Sequence, residues 1–186
     1  LYEATFELEW LELSEKMMLY ILEHFYDSRS SMFFFTSDLD PKLVARKMEV
    51  HDDVVPASNS VLANSLFDLG VIRANNKYKN MAASILNNIK PKMDSYFTSY
   101  ANYANLLLKY TKPFYEVVIT GQDAFKKSIK INDFYSPNKL LIGGDNSNYI
   151  PLLKGKKSDN LFYYICEDGL CKQPTSDIKE AINLLQ

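Results

Sequence analysis

The sequence predicts a mainly α-helical protein in which helical hairpins occupy the chain up to about residue 110 and a small α/β unit follows. Large apolar residues recur every three or four positions through the first half, which is the period of an amphipathic helix. In the second half, β-rich apolar runs that end in glycine alternate with a helical pattern, and composition changes at Thr111-Lys112-Pro113. We therefore expect two domains, residues 1–110 and 111–186.

Four helices are predicted in the first half: residues 2–26, a second from Ser58 until Asn75 stops it, a third over 77–89, and a fourth that begins at Pro91. In the first helix, large apolar residues three or four apart lie on one face, which predicts an amphipathic helix. These residues are Phe6, Trp10, Leu13, Met17, Ile21 and Phe25.

The remaining elements are short. Between the first two helices, apolar residues on both sides of Asp38-Leu39-Asp40-Pro41 predict a β-hairpin at about residues 33–45. In the second half, strands are expected at residues 115–119, 140–142 and 161–166, with a helix over 122–134 and a closing helix over 177–185. The strand–helix–strand order favours a parallel pair for the first two strands.

Composition excludes several classes of function. The hydrophobic fraction of 47% indicates a packed core. A net charge of −2, with acidic and basic residues mixed along the chain, offers no basic stripe for nucleic acid and no polybasic segment for a membrane surface. No apolar run is long enough to span a bilayer, and with two cysteines we expect a cytoplasmic protein. The chain starts at Leu1 inside a helical pattern, so we expect a fragment of a longer protein.

The densest polar cluster of the helical half runs from Arg46 to Asp53 and is followed by a helix start. Such a loop can bind a hydroxyl-rich or anionic ligand, because helix N-termini offer free N–H donors and carboxylates or histidine can move protons. The expected catalytic residues are Asp53, His51 and Glu49, and the expected substrate-binding residues are Arg46, Ser58 and Asn59. The alternative is a solvated connection with an ordinary helix cap.

We expect no metal and no cofactor, because the two histidines and two cysteines lack the paired spacing of zinc sites. Cys166 and Cys171 flank a turn that contains Asp168-Gly169. They could form a cross-strand disulfide if the flanking strands pair. The spacing is not that of a thioredoxin active site, and we expect reduced cysteines that are close in space and structural in role.

Several ordered motifs resemble those of one known family. They are Met-Phe-Phe-Phe-Thr-Ser at residues 32–37, Arg-Lys-Met-Glu at 46–49, Asp-Val-Val-Pro-Ala-Ser-Asn-Ser-Val at 53–61, Pro-Asn-Lys at 137–139, and the closing strand with its C-x4-C and Pro at 164–174. In this order the motifs resemble the C-terminal portion of the spermatogenesis-associated, thioredoxin-domain-containing family of bacteria and animals. The family usually has Pro-Ser-Gly-Asn-Ser where this chain has Pro-Ala-Ser-Asn-Ser at residues 56–60.

The resemblance implies a longer parent protein with an N-terminal thioredoxin-like domain, absent here, followed by an (α/α) toroid similar to N-acylglucosamine epimerases and six-hairpin glycosidases. This chain would then be a partial toroid of helical hairpins followed by a small α/β C-terminal unit. The toroid of the parent would bind or isomerise a carbohydrate-like small molecule, and the fragment alone would be inactive.

The alternative is a non-catalytic scaffold or interaction domain that supports the thioredoxin-like domain. Expected partners of the fragment are the remainder of the parent chain or, through exposed hairpin edges, a second copy in a homodimer.

Overall fold

The computed structural model of the protein describes residues 1–41, 44–144, 148–156 and 158–185. The chain is 49% helical and 13% strand, which confirms a mainly α protein with a small sheet. Two compact units are present, and each is described by itself. The sheet unit comprises Leu1–Glu12, Val71–Ala74 and Lys109–Gln186, and the helical unit comprises Leu13–Gly70 and Asn75–Leu108. The domain boundary at residue 111 stays a prediction.

In chain order the helices are α1 (Tyr2–Thr5), α2 (Leu8–His24), α3 (Ser58–Ile72), α4 (Asn76–Met93), α5 (Ala101–Thr111), α6 (Ala124–Asn132) and α7 (Ile178–Asn183), with 3₁₀ helices at Phe97–Tyr100 and Pro151–Leu153. The strands are β1 (Tyr26–Asp27), β2 (Met32–Phe33), β3 (Tyr115–Thr120), β4 (Lys139–Gly143), β5 (Phe162–Glu167) and β6 (Leu170–Cys171).

The prediction of one helix over residues 2–26 is wrong, because the chain breaks between α1 and α2. Phe6 adopts the left-handed conformation with φ 58°, which is rare for a bulky residue. The Thr5 hydroxyl accepts a hydrogen bond from the backbone N–H of Glu7 and so competes with the helical pattern. The break places the Phe6 ring in the core of the sheet unit, and this burial offsets the backbone strain.

The apolar face predicted for the first helix is only partly buried. In α2 the fully buried side chains are Leu11 and Met18, seven residues apart, while Leu13 and Met17 of the predicted face are exposed. Periodicity alone could not choose between the two faces, because α2 carries large apolar residues on both.

The predicted hairpin at residues 33–45 lies too late in the chain. The observed hairpin pairs β1 with β2, so that Tyr26 faces Phe33 and Asp27 faces Met32. Its turn is held by the Asp27 carboxylate, which accepts hydrogen bonds from the Ser30 hydroxyl and the Arg29 N–H, a side-chain turn typical of aspartate. Described residues 34–41 and 44–57 form no helix or strand, and the part of the prediction that falls on residues 42 and 43 lies outside the described residues.

The helix starting at Ser58 is confirmed, although it ends at Ile72, before the predicted stop. The carboxamide oxygen of Asn75 instead accepts from the N–H groups of Lys77 and Tyr78 and so caps α4. The predicted helix start at Pro91 is wrong, because α4 continues through Pro91 to Met93. Proline removes the bond to the carbonyl of Asn87, and this cost is small because Asn87 is exposed to water.

The sheet unit follows the prediction closely. Its four strands have the order β4-β3-β5-β6. β3 and β4 are parallel and are connected through α6, as predicted, whereas β5 runs antiparallel to β3. Val117, Ile119, Leu141 and Ile165 of the sheet form one buried cluster with Ile131 of α6. Asp177 caps α7 as expected, through a bond from the N–H of Lys179.

The expectation of reduced cysteines is wrong, because Cys166 and Cys171 form a disulfide. The turn between β5 and β6 has only two central residues, Asp168 and Gly169, both with positive φ, as a tight hairpin requires. This register places Cys166 opposite Cys171. The carboxylate of buried Glu116 accepts a hydrogen bond from the Gly169 N–H at 2.9 Å and fixes the turn.

Candidate functional site

The loop that precedes α3 and the first turn of that helix carry the six predicted site residues, but these residues are divided between the surface and the interior. Glu49, His51 and Asp53 are exposed. Arg46 and Ser58 are half-buried, and Asn59 is 0% exposed. The three predicted catalytic side chains therefore face solvent, while the predicted substrate-binding residues are partly or fully withdrawn from it.

Arg46 is held by contacts within the loop region. Its Nη2 donates hydrogen bonds to the backbone carbonyls of His24 and Thr36, and its guanidinium lies 4.1 Å from the centroid of the Phe34 ring, a cation–π arrangement. Its Nε is buried without a hydrogen-bond partner among the described residues. Both of these hydrogen bonds go to backbone carbonyls, so Arg46 stabilises the segment after β2.

Asn59 bonds to the backbone in three places. Its carboxamide oxygen accepts from the Phe33 N–H, and its Nδ2 donates to the carbonyls of Phe33 and Glu49, each at 2.8 Å. A fully buried carboxamide must be hydrogen-bonded to be tolerated, and these bonds tie the start of α3 to strand β2. Asn59 and Arg46 share no hydrogen-bond partner, so their hydrogen bonds do not join these two predicted substrate-binding residues.

Glu49 and Ser58 meet at the first turn of α3. The Glu49 carboxylate accepts a hydrogen bond from the Ser58 N–H at 3.0 Å, which satisfies one of the N–H groups left free at a helix start and places a negative charge there. The Ser58 hydroxyl is buried and has no partner among the described residues. Glu49 therefore acts as a helix cap contributed from nine residues upstream.

The carboxylate with the most hydrogen bonds in this loop is Asp52, which is 8% exposed. Its Oδ1 accepts from the Ala57 N–H at 2.9 Å and from the Ser60 hydroxyl at 2.6 Å, and its Oδ2 accepts from the Asn102 N–H at 2.8 Å. The Asn102 carboxamide also donates to the Ser60 hydroxyl at 3.0 Å. Hydrogen bonds to a charged acceptor are stronger than those between neutral groups. Because the partners of Asp52 lie in three segments, this network firmly joins the loop, α3 and α5.

The network also affects a neighbouring phenol. Burial, followed by the negative charge of Asp52, raises the pKa of Tyr103 above its usual range. Tyr103 is 0% exposed and therefore stays a neutral phenol at physiological pH. The neutral Tyr103 phenol therefore adds no second negative charge beside the Asp52 carboxylate.

His51 and Asp53 make few contacts by comparison. The His51 ring lies 5.3 Å from the Tyr100 ring, centroid to centroid, and Asp53 is fixed by its backbone N–H, which donates to the Val55 carbonyl. The other histidine, His24, has its Nδ1 2.8 Å from an Asp38 carboxylate oxygen. Catalysis by Asp53, His51 or Glu49 stays a prediction.

Sequence analysis missed Asp52, Ser60 and Asn102. Asp52 and Asp53 are adjacent and chemically identical, so nothing local marks the first as the buried one. The serine at residue 60 offered a weak signal, because a hydroxyl in the first turn of a helix often bonds to a preceding carboxylate. Asn102 lies 50 residues from Asp52, and no local pattern connects them.

Two features are absent from the described residues. Among residues 1–41, 44–144, 148–156 and 158–185, no group of three or more His, Cys, Asp and Glu side chains is arranged to hold a metal ion. Within the same residues, no helix has both the length and the apolar character that crossing a bilayer requires.

The fold and the loop define a mainly helical segment with a small mixed sheet, in which the densest polar loop is bonded chiefly to the protein itself. Among curated proteins, the chain is similar to spermatogenesis-associated protein 20 of Homo sapiens, with 27% identity, and to the proteins of that name from Rattus norvegicus and Mus musculus, each with 26%. No protein-family profile matches the chain.

These alignments cover 100% of this chain and 25% of each relative. The chain thus spans about a quarter of the length of the curated relatives it matches. The similarity supports the resemblance to the family, whereas the toroid and the thioredoxin-like domain stay predictions.

Proposed function

We propose that this chain is a non-catalytic interaction segment of a longer protein and that its helical unit docks the remainder of the parent chain on the outer face of α2. The observation that carries this proposal is a stripe of exposed apolar side chains on that helix. Leu13 is 47%, Met17 57% and Tyr20 50% exposed. We call these three residues the α2 stripe.

The spacing of the α2 stripe is that of a helix contact surface. Its members lie four and three residues apart, so they project from one side of the helix. The buried residues Leu11 and Met18 occupy a different side. A helix that is apolar on two sides is typical of one that is covered on both, and a contiguous exposed apolar patch is typical of an interaction site.

The length of the relatives supports the remainder of the parent chain as the occupant. The chain aligns over its whole length with only 25% of each relative, so a longer protein of this kind has further segments that could cover the stripe. The family resemblance implies that this remainder includes a thioredoxin-like domain. The internally bonded loop before α3 supports a structural rather than a catalytic role for the region.

The test is co-purification of this chain with the separately expressed remainder of its parent protein. Leu13→Lys and Met17→Lys should each abolish co-purification, because a lysine cannot be buried in an apolar interface without its charge being paired. Both variants should keep the unfolding free energy within about 0.5 kcal/mol, because the replaced side chains are exposed.

The matched control is Leu19→Lys. Leu19 is 55% exposed and lies on the same helix, but about a third of a turn away from the α2 stripe. It should leave co-purification unchanged. An equal loss of co-purification in Leu19→Lys would show that a charge anywhere on α2 prevents binding. Co-purification of Met17→Lys at the wild-type level would refute the proposal. A dimer of the chain that Met17→Lys dissociates, with no binding to the remainder, would identify a second copy as the occupant instead.

A second candidate function is binding of a carbohydrate-like ligand by the loop before α3 in the parent protein. It is favoured by two buried polar atoms, Ser58 Oγ and Arg46 Nε, which have no hydrogen-bond partner among the described residues, and by the exposed carboxylate of Asp53.

The test of this second function is the melting temperature of the parent protein, which sugars or sugar phosphates should raise. Asp53→Asn should remove this effect. Asp94 is another exposed aspartate, and Asp94→Asn should leave the effect unchanged. No shift with any sugar would leave only the docking function.

A further inference from the structure

The two cysteines of the disulfide in the sheet unit lie in different surroundings. Cys166, in the inner strand β5, is 1% exposed, whereas Cys171, in the edge strand β6, is exposed. A thiol in solution therefore meets the disulfide at Cys171, while the protein screens Cys166. Exchange between thiols and disulfides depends on which sulfur can be attacked, so this difference gives the reaction a direction.

The tip of the hairpin that carries the disulfide is open to solvent. Leu170, next to Cys171, is 81% exposed. A Cβ atom on Gly169 would meet no atom within 4 Å among the described residues, its chain neighbours apart. In the described sheet, no strand pairs with the outer side of β6. A small thiol therefore has room to approach Cys171.

Backbone hydrogen bonds hold this hairpin independently of the disulfide. The Lys172 N–H donates to the Ile165 carbonyl at 2.9 Å. Further from the turn, Tyr163 and Thr175 exchange two hydrogen bonds, at 2.8 and 3.1 Å. Because these bonds join the same two segments that the disulfide joins, the segments stay paired when the disulfide is reduced. The two thiols then remain opposite each other and can form the disulfide again.

The turn between the cysteines is also held without help from the disulfide. The Gly169 N–H donates to the carboxylate of buried Glu116 at 2.9 Å. The disulfide closes only a short loop, because its cysteines are five residues apart in sequence. A short loop restricts the unfolded chain less than a long one does, so we expect the fold to survive opening of the disulfide.

We propose that Cys166 and Cys171 form a reversible site of thiol–disulfide exchange with a low-molecular-weight thiol such as glutathione. Cys171 is the exchanging cysteine, which carries the mixed disulfide, and Cys166 is the resolving cysteine. This proposal concerns the sheet unit and is independent of the docking function of α2.

Each step replaces one sulfur–sulfur bond by another. The thiolate of glutathione attacks Sγ of Cys171, the bond between the two protein sulfurs breaks, and Cys166 leaves as a thiolate that takes a proton from water. A second glutathione thiolate then attacks the glutathione sulfur of the mixed disulfide and releases Cys171 as a thiolate, which is protonated in turn. The protein gains the two electrons that the two glutathione molecules lose. In the reverse direction, Cys166 attacks the mixed disulfide at Cys171 and expels glutathione.

Two single-cysteine variants of the 186-residue chain test which cysteine exchanges. Each folded variant is incubated with oxidised glutathione, and mass spectrometry follows the addition of one glutathione. Cys166→Ser, which keeps Cys171, should react at least about tenfold faster than Cys171→Ser, which keeps the buried Cys166. In urea the two variants should react at similar rates, because unfolding exposes both cysteines. Equal rates in the folded state would overturn the assignment of Cys171.

The wild-type chain provides the same information without a substitution that could affect folding. The reduced chain is mixed with oxidised glutathione, the reaction is stopped with acid at intervals, and tandem mass spectrometry locates the modification. Glutathione should appear first on Cys171, and the disulfide between the two cysteines should then replace it. Glutathione on Cys166 first, or on both cysteines equally, would contradict the proposed order.

Reversible exchange also requires that the reduced protein stays folded. The far-UV circular dichroism spectrum of the reduced wild-type chain should match that of the oxidised chain, and oxidised glutathione should restore the disulfide fully. Unfolding on reduction would identify the disulfide as a structural cross-link and refute the proposal. Failure of the folded chain to form any mixed disulfide with glutathione would refute it as well.

Discussion

The helices α3 and α6 each begin after a loop rich in polar residues, yet the two helix starts are treated in opposite ways. At the start of α3, carboxylates of Asp52 and Glu49 accept hydrogen bonds from the first N–H groups. At the start of α6, the Asp123 side chain caps no N–H group and pairs with Lys126 instead.

This difference shows that charge density alone does not locate a ligand site. The loop before α3 has the greater number of charged residues, but its most buried carboxylate, Asp52, and the buried carboxamide of Asn59 are satisfied by the protein. Ser58 Oγ and Arg46 Nε are buried without a partner among the described residues, so a ligand of this region is expected at those atoms.

Three substitutions at the start of α3 should sharpen the contrast, and their effects on the unfolding free energy should fall in a fixed order. Asp52→Asn should have the largest effect, a loss of about 2–4 kcal/mol, because the carboxamide replaces one acceptor by a donor that faces other donors. Glu49→Gln should lose about 0.5 kcal/mol, since it weakens an exposed cap. Asp53→Asn should change stability by less than about 0.5 kcal/mol. Urea unfolding followed by circular dichroism measures all three.

The matched substitution at the other helix start is Asp123→Asn, which should leave the urea midpoint unchanged because Asp123 is exposed and makes no cap bond. A urea midpoint for Asp52→Asn equal to that of the wild type would show that the hydrogen-bond network of Asp52 does not stabilise the fold. A large loss of unfolding free energy in Asp123→Asn would mean that aspartate stabilises both helix starts.

The sheet unit could be predicted well because its signals are local. Val117, Val118 and Ile119 form a β-rich run that ends at Gly121, and Gly143 closes the next run. Such runs are buried on both faces in a parallel pair, so they stand out from their surroundings. The same reasoning placed α6 between the two strands.

Elements that depend on distant contacts were predicted poorly. The break at Phe6 occurs because its ring packs in the core of the sheet unit, and no pattern within residues 2–26 encodes that core. The hairpin was displaced because the turn depends on the Asp27 side chain, whereas the sequence pattern around Asp38 and Pro41 was the stronger turn signal. Pro91 is tolerated inside α4 because it lies in the last turn.

The candidate site shows the same limit. Residue types and spacing identified the loop correctly as a polar helix start, and Asn59 and Glu49 do bond there. The choice of Asp53 over Asp52 could not be made locally, because burial of Asp52 depends on Asn102 in α5.

The most direct test of the claim that the protein itself satisfies the start of α3 is a residue-resolved titration. Amide ¹⁵N–¹H spectra of the chain should be recorded with a panel of neutral sugars. The account predicts that no sugar shifts the amide signals of Ala57 and Ser58, because their N–H groups already donate to Asp52 and Glu49. Saturable shifts of these two signals with a sugar would contradict it.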